Sequence, residues 1–175
     1  MNIRFTDGII QMSVHKPTTV QSRRALARGR QLVVVDIENI AGGACVTDTA
    51  VRRVRTELAG TGQIGQADHV VIGTSHIGLV QVGSNWDGVR YVVRSGRDGA
   101  DLALLEVLGE NVAERFESVV LASGDGIFAP TIAEFAAIGI PTTVIGRRGH
   151  IARRLLLVAS RVIYLDSTTE PLAAA

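Results

Sequence analysis

Three aspartates are the side chains of this sequence whose types and spacing best suit chemistry. Asp36 ends an aliphatic run and precedes Asn39, Asp101 begins an apolar segment, and Asp125 lies between two glycines. Carboxylates brought together repel one another unless a cation neutralises them. Oxygen ligands with no Cys or His cluster beside them suit Mg²⁺ or Mn²⁺ better than Zn²⁺. The pattern predicts a site for a hard divalent cation, provided that the fold brings the three together.

Each aspartate also has a purely structural explanation. Asp36 could close a turn, because Asp is common there. Asp98 and Asp101 have the spacing of a capping box, and Asp125 could form an Asx turn or cap the following helix. For any single aspartate both explanations stay open. Acids at three strand–helix junctions together favour the functional one.

The segments that must position these acids alternate between strand and helix patterns from residue 31 onwards. Continuous aliphatic runs predict strands buried on both faces, over 31–37, 68–75, 89–95, 118–124, 141–146 and 161–166. Apolar spacing and glycine stops predict helices over 47–60, 75–83, 98–110, 126–139 and 150–160. This alternation predicts an α/β fold, a three-layer αβα sandwich with a mostly parallel sheet of five to six strands.

That topology gathers the acids at one edge. In doubly wound sheets, ligands bind beyond the carboxyl ends of the strands, near the point where strand order reverses. Asp36 and Asp125 follow the first and fourth predicted strands of this alternation, and Asp101 begins the helix after the third. We therefore expect all three at the same edge of the sheet.

The 175-residue chain is expected to contain one domain over 31–167, a basic and poorly structured arm at 1–30, and a flexible tail at 168–175. Residues 1–30 carry six basic residues against one acid, whereas the remainder carries 12 arginines against 16 acids. The arm either has a short strand or helix of its own or is a disordered tail, and the sequence does not separate the two.

The sequence also bears on membrane association, cellular location and cysteine-based sites. No apolar run approaches the roughly 18 residues that span a bilayer, so no membrane partner is expected. The N-terminus has no apolar region followed by a small-residue cleavage site, which predicts a cytoplasmic protein. A single cysteine, Cys45, excludes an internal disulfide and a multi-cysteine zinc site.

Basic side chains near the expected edge are candidates for holding a nucleic-acid backbone. Arg94 and Arg97 flank the end of the third predicted strand, and Arg147 follows the fifth. His76 lies just beyond the second, where it either contacts substrate or simply starts a helix.

Two further patterns are not assigned to the site. Arg153 and Arg154 lie further along a predicted helix and are assigned to a solvated face. Residues 60–65 match GxGxxG, but they follow a helix and precede a strand, whereas the dinucleotide fingerprint needs the opposite order. No nucleotide cofactor is therefore expected.

Three motifs in this order resemble the NYN domain of the PIN-like nuclease superfamily: VVVDIEN, GADLALL and LASGDGIF. The resemblance covers roughly residues 31–166 and implies a PIN-like, Rossmannoid fold and a Mg²⁺- or Mn²⁺-dependent ribonuclease that takes RNA as its partner. It also implies that Asp36, Asp101 and Asp125 hold the metal, that Asn39 is the companion amide of Asp36, and that Ser123 orients the pocket through hydrogen bonds.

One position departs from the family pattern. The family commonly has Asp-x-Asp-Phe in its last motif, and here Ile127 stands where the second acid is expected. Glu38 or Asp98 could supply a carboxylate from another direction. The departure motivates an alternative function, a catalytically weak or inactive NYN domain that acts as an RNA-binding or adaptor module.

Two other expectations follow from the same comparison. A phosphatase or nucleotide-binding enzyme on a similar scaffold ranks last, because a haloacid-dehalogenase-type site would want Asp two residues after Asp36, where Glu38 stands. PIN-like domains often pair, and the short helix around 76–83 is apolar enough to join a second copy, so a homodimer is one candidate assembly.

Overall fold

The central element of the computed structural model, which describes residues 2–6, 9–13, 29–43 and 46–165, is a six-stranded sheet. Its strands are β3 Gln31–Asp36, β4 His69–Thr74, β5 Arg90–Val93, β6 Ser118–Ala122, β7 Thr142–Arg147 and β8 Arg161–Leu165. They lie in the order β5-β4-β3-β6-β7-β8, and every neighbouring pair is parallel. The predicted α/β sandwich is confirmed, with a sheet that is parallel throughout.

Helices connect these strands. They are α1 Ile37–Ala41, α2 Asp48–Gly60, α3 Leu79–Asn85, α4 Gly99–Leu108, α5 Val112–Arg115, α6 Ala129–Ala137 and α7 Arg153–Val158, with a 3₁₀ turn at Gly126–Phe128. Among the described residues, no helix combines the length and apolar character that crossing a bilayer requires.

The helices cover both faces of the sheet, which accounts for the uninterrupted aliphatic sequence of β3. Leu32 and Val34 pack on one face among buried residues of α4 to α7, whereas Val33 and Val35 pack on the other among buried residues of α1 to α3. A strand buried on both sides needs apolar residues at every position. These two cores fix the sheet, and with it the edge where β3 ends.

The observed elements differ from the predicted ones mainly at helix starts. The helix predicted from residue 126 begins as the 3₁₀ turn, and the one predicted from 150 begins only at Arg153 because Gly149 has a φ of 80° and Ile151 packs into the core. Two short helices, α1 and α5, escaped sequence analysis. Elements of four or five residues are too short to show a helical period.

Part of the N-terminal arm has regular structure. Strands β1 Asn2–Thr6 and β2 Ile9–Ser13 pair antiparallel, which agrees with the option of a short strand in this segment. Residues 14–28, Cys45 and the predicted tail at 168–175 lie outside the described residues.

Strand order reverses between β3 and β6. From β3 the chain moves outward through β4 to β5, then crosses to β6 and moves outward through β7 to β8. Such a reversal leaves a crevice beyond the carboxyl ends of the two central strands. Asp36 is the last residue of β3, and Ser123 to Asp125 directly follow β6.

Candidate functional site

Asp36 is the buried acid at the centre of this edge. Its side chain is 3% exposed and both of its oxygens accept hydrogen bonds. Oδ1 accepts from the backbone N–H of Asn39 at 3.2 Å, which caps α1, and Oδ2 accepts from the Ser123 hydroxyl at 2.9 Å. Asp36 was considered as a residue that closes a turn, and in the structure it caps α1, which fixes its carboxyl in the crevice.

Two further hydrogen bonds fix the segment after β6, one within that segment and one to Asn39 after β3. The Asp125 backbone N–H donates to the Ser123 hydroxyl oxygen at 3.1 Å, and the Gly124 N–H donates to Asn39 Oδ1 at 2.9 Å. Ser123 is completely buried, so it holds Asp36 from below the surface. Asn39 and Ser123 thus form the frame around Asp36 and Asp125.

Asp101 reaches this frame from the first turn of α4. Its carboxyl lies within hydrogen-bonding reach of the Asp36 carboxyl. The close approach of α4 depends on Gly73, the partner of Asp36 in β4, because a Cβ there would lie 2.5 Å from Leu104 Cγ. The helix start depends in turn on Asp98, which has a left-handed φ of 54°.

Burial and neighbouring charges keep a proton on this pair. Burial, followed by the charge of Asp101, raises the pKa of Asp36 to about 7 from its ordinary 3.8. Burial also raises the pKa of Asp101, helped by the charges of Asp125, Asp98 and Glu38. The interaction between the two acids raises the pKa of Asp36 and lowers that of Asp101.

An open cavity of about 450 Å³ lies over the pair. Five carboxyl side chains line it, together with residues of the α1–α2 and β5–α4 connections and two basic side chains. The acids are Asp36, Glu38, Asp98, Asp101 and Asp125, and the basic side chains are Arg94 and His150. The three aspartates predicted from the sequence therefore share one acidic cavity.

Asp125 caps a turn, as considered for it, and also faces the cavity. Its Oδ1 accepts from the Ile127 N–H at 2.8 Å, which caps the 3₁₀ turn, and the residue also lines the cavity. Ile127 itself packs against the apolar core on the α4–α7 face of the sheet.

The basic residues expected to hold a backbone are dispersed. Arg94 lines the cavity but pairs with Glu106 at 2.9 Å. Arg97 is 95% exposed and faces Asp98 at 3.7 Å, outside the cavity lining. His76 is also exposed and outside that lining, with its Nδ1 2.8 Å from the Ser95 hydroxyl.

Arg147 braces the sheet. Its Nη2 lies 2.8 Å from Glu57 Oε2, and its Nε donates to the carbonyl of Ile40 at 3.0 Å. The side chain is 17% exposed, so most of the guanidinium surface is covered by these partners.

Two side chains near the cavity were not singled out by sequence analysis as part of the site. His150 lines the cavity from the β7–α7 connection, and Arg154, assigned to a solvated face, lies against Gly126 beside Asp125. A usable signal was present for His150, because it follows a strand whose carboxyl end lies at the active edge. Glu38, considered as a replacement acid, accepts from the Ser75 N–H at 2.8 Å while lining the cavity.

The donor chemistry of the cavity fits a hard cation bound by few protein ligands. Among the described residues, no group of three His, Cys, Asp or Glu side chains is arranged to hold a metal ion. The close pair Asp36–Asp101 offers carboxylate oxygens only. Burial and the negative charges of neighbouring acids raise both pKa values, and a cation beside the pair would offset those charges. Mg²⁺ is commonly bound through one or two carboxylates plus water and substrate phosphate.

Comparisons with known proteins bring little further information. No protein-family model and no curated protein sequence matches this chain. A crystal structure of a protein of unknown function from Vibrio parahaemolyticus shares 17% sequence identity with it and covers 79% of this chain and 93% of that one, with a TM-score of 0.47. That description names no activity, substrate or cofactor.

Proposed function

We propose that this chain is a Mg²⁺- or Mn²⁺-dependent ribonuclease of the NYN and PIN-like type, working in the cytoplasm. The observation that carries the proposal is the Asp36–Asp101 pair, two carboxyls within hydrogen-bonding reach beside an open acidic cavity at the strand-order reversal. Acids that lie close together in a protein interior often belong to a functional site, because each negative charge raises the free-energy cost of ionising the next.

In the proposed reaction each residue of the site has its own role. Asp36 and Asp101 would hold the cation, directly or through water, with Asp125 beside them on the cavity wall. Ser123 and the Asn39 N–H fix both oxygens of Asp36, so that its orientation does not depend on the ligand. A cation bound there would lower the pKa of a coordinated water and offset the charge that develops on the scissile phosphate.

Asp36 adds a proton step of its own. With a pKa of about 7, its carboxyl is largely protonated below neutrality and must lose that proton to act as an anionic ligand. The neighbouring Asp101 lies within hydrogen-bonding reach of this carboxyl.

The test is cleavage of a labelled single-stranded RNA by the purified chain with Mg²⁺, Mn²⁺ or EDTA. We expect divalent-dependent cleavage that falls by about 10- to 100-fold in Asp125→Asn and at least as far in Asp101→Asn. Asp87→Asn is the matched control, because Asp87 is 89% exposed and pairs with Arg55 away from the cavity. Unchanged cleavage by the two site variants with Mn²⁺ supplied would contradict the proposal.

Ile127 favours the second candidate, an RNA-binding or adaptor module with weak or absent cleavage. Its side chain packs against the core, so this position contributes no ligand to the cavity. Purified protein that binds RNA but shows no metal-stimulated cleavage would support this function over the first.

A further inference from the structure

The loop that carries Asp125 lies against residues 150–154 through contacts that only glycine allows. A Cβ on Gly124 would overlap the backbone carbonyl of His150, and the Ala152 N–H donates to the Gly124 carbonyl at 2.8 Å. On the other side of Asp125, a Cβ on Gly126 would take the space of the Arg154 guanidinium, 2.8 Å from its Cζ and Nη2. The charged end of Arg154 therefore lies directly against the residue that follows Asp125.

Arg154 differs from Arg94 and Arg147 because it has no acidic partner among the described residues. Arg94 is paired with Glu106 at 2.9 Å. Arg147 is paired with Glu57 at 2.8 Å. Within the described part of the chain, Arg154 makes no ion pair or hydrogen bond. Its side chain is exposed, so an external anion can reach the guanidinium.

The lining of the acidic cavity has many carboxyl groups and little unpaired positive charge. Five carboxyl side chains line it, and of its two basic side chains Arg94 is already paired. A nucleic-acid backbone entering this region meets repulsion from the acids beyond what one bound cation offsets. A guanidinium binds phosphate oxygens through two parallel N–H donors, which adds both attraction and orientation.

We propose that Arg154 is a substrate-binding residue. It binds the RNA phosphate next to the scissile one, on the Asp125 side of the cavity. The identity of this ligand rests on the proposed ribonuclease function. Gly126 is the positioning partner, since the missing Cβ is what lets the guanidinium lie beside Asp125.

The experiment measures RNA binding separately from cleavage. Fluorescence anisotropy of a short single-stranded RNA is recorded in EDTA at a series of KCl concentrations, for the wild type, Arg154→Ala and Arg153→Ala. Arg153 is the matched control, because it is the exposed neighbour on the same helix and carries the same charge. Thermal unfolding of each variant verifies that the fold is intact.

We expect Arg154→Ala to weaken binding by about tenfold, the loss of one charge-assisted contact, and to lower the slope of log Kd against log salt by about 0.7. Arg153→Ala should stay within about twofold of the wild type at each salt concentration. Gly126→Ala keeps every charge, but its Cβ would occupy the space of the Arg154 guanidinium. It should therefore reproduce a measurable part of the loss of RNA affinity seen in Arg154→Ala.

The outcomes separate this proposal from the ribonuclease function. Equal affinities and slopes for Arg154→Ala and Arg153→Ala, or no salt-dependent RNA binding by the wild type, overturn the role of Arg154 even if the protein cleaves RNA. If only Arg154→Ala loses RNA affinity and the wild type shows no metal-dependent cleavage, the role of Arg154 is supported and the ribonuclease function is contradicted. Wild-type affinity in Gly126→Ala overturns the proposed position of the guanidinium.

Discussion

The Ser123 hydroxyl donates to Asp36 Oδ2 at 2.9 Å, across 87 residues of sequence, and accepts from the Asp125 N–H at 3.1 Å. One buried hydroxyl thus orients the acid at the end of β3 and the acid after β6 at the same time. Because Ser123 is fully buried, water cannot take over either hydrogen bond if the hydroxyl is removed.

Ser123→Ala should therefore weaken the site more than the fold. Loss of the two hydrogen bonds should lower the free energy of unfolding by about 1–3 kcal/mol and Mn²⁺ affinity by about 10-fold or more. Calorimetric titration with Mn²⁺ and denaturant unfolding measure the two effects. Ser118→Ala is the control, since Ser118 lies at the opposite end of β6 and its hydroxyl donates to Gln31. Equal Mn²⁺ affinity in both variants would contradict the orienting role.

Asp36 should make the metal-free protein less stable as pH rises. Its pKa is about 7 in the folded chain and 3.8 without the fold, so the folded state binds the extra proton between these values. The stabilisation is full below about pH 4 and is lost as pH rises through about 7. In EDTA, the wild type should lose on the order of a few kcal/mol of unfolding free energy between pH 5 and pH 8.

Asp36→Asn tests the source of that dependence, because the amide cannot ionise. Thermal unfolding in EDTA should show the variant gaining stability relative to the wild type at pH 8 and little or none at pH 5. Asp87→Asn, an exposed charge removed elsewhere, should keep the wild-type pH dependence. A pH dependence that survives unchanged in Asp36→Asn would assign it to other groups.

Gly73→Ala should separate α4 from the sheet and move Asp101 away from Asp36. The new Cβ would lie 2.5 Å from Leu104 Cγ, and Leu104 is fully buried. We expect a loss of about 1–3 kcal/mol in unfolding free energy, together with a fall in RNA cleavage.

A double mutant distinguishes this clash from a general loss of packing. Leu104→Ala alone should cost about 2–5 kcal/mol, whereas the pair Gly73→Ala and Leu104→Ala should cost less than the sum of the single changes. Denaturant unfolding of the wild type, the two single variants and the double variant measures the four unfolding free energies that this comparison needs. Strict additivity would show that the two residues do not press on each other.

Ile127→Asp should fail to create a second acidic ligand. The Ile127 side chain packs against the core beside the cavity, so a carboxylate there would be partly desolvated. We expect the free energy of unfolding to fall by about 1–3 kcal/mol and the rate of RNA cleavage not to increase. Ile127→Val is the control for lost volume alone. Faster cleavage with wild-type stability would show that the position can reach the cavity.

The sheet and the positions of its acids were predictable because buried parallel strands leave a strong mark in sequence. Leu32 to Val35 form an unbroken aliphatic run, and Asp36 marks its end. Since carboxyl ends of parallel strands share an edge, acids after β3 and β6 had to be near neighbours.

The contacts of Arg147 and Arg154 were not predictable, because they join residues far apart in sequence. Arg147 was expected to hold a backbone, but its partner Glu57 lies 90 residues away and leaves no local signal. Arg154 was assigned to a solvated face because the helix was predicted to begin at residue 150. The turn at Gly149 delays the helix and brings Arg154 over Gly126.

The hydrogen bond between Asp36 and Ser123 forms late in synthesis, because it joins β3 to the residue that follows β6. Strands β3 to β5 and helix α4 leave the ribosome before β6, which must then insert beside β3. Until it does, the edge of β3 that pairs with β6 is open, and an open apolar edge favours association with other nascent chains.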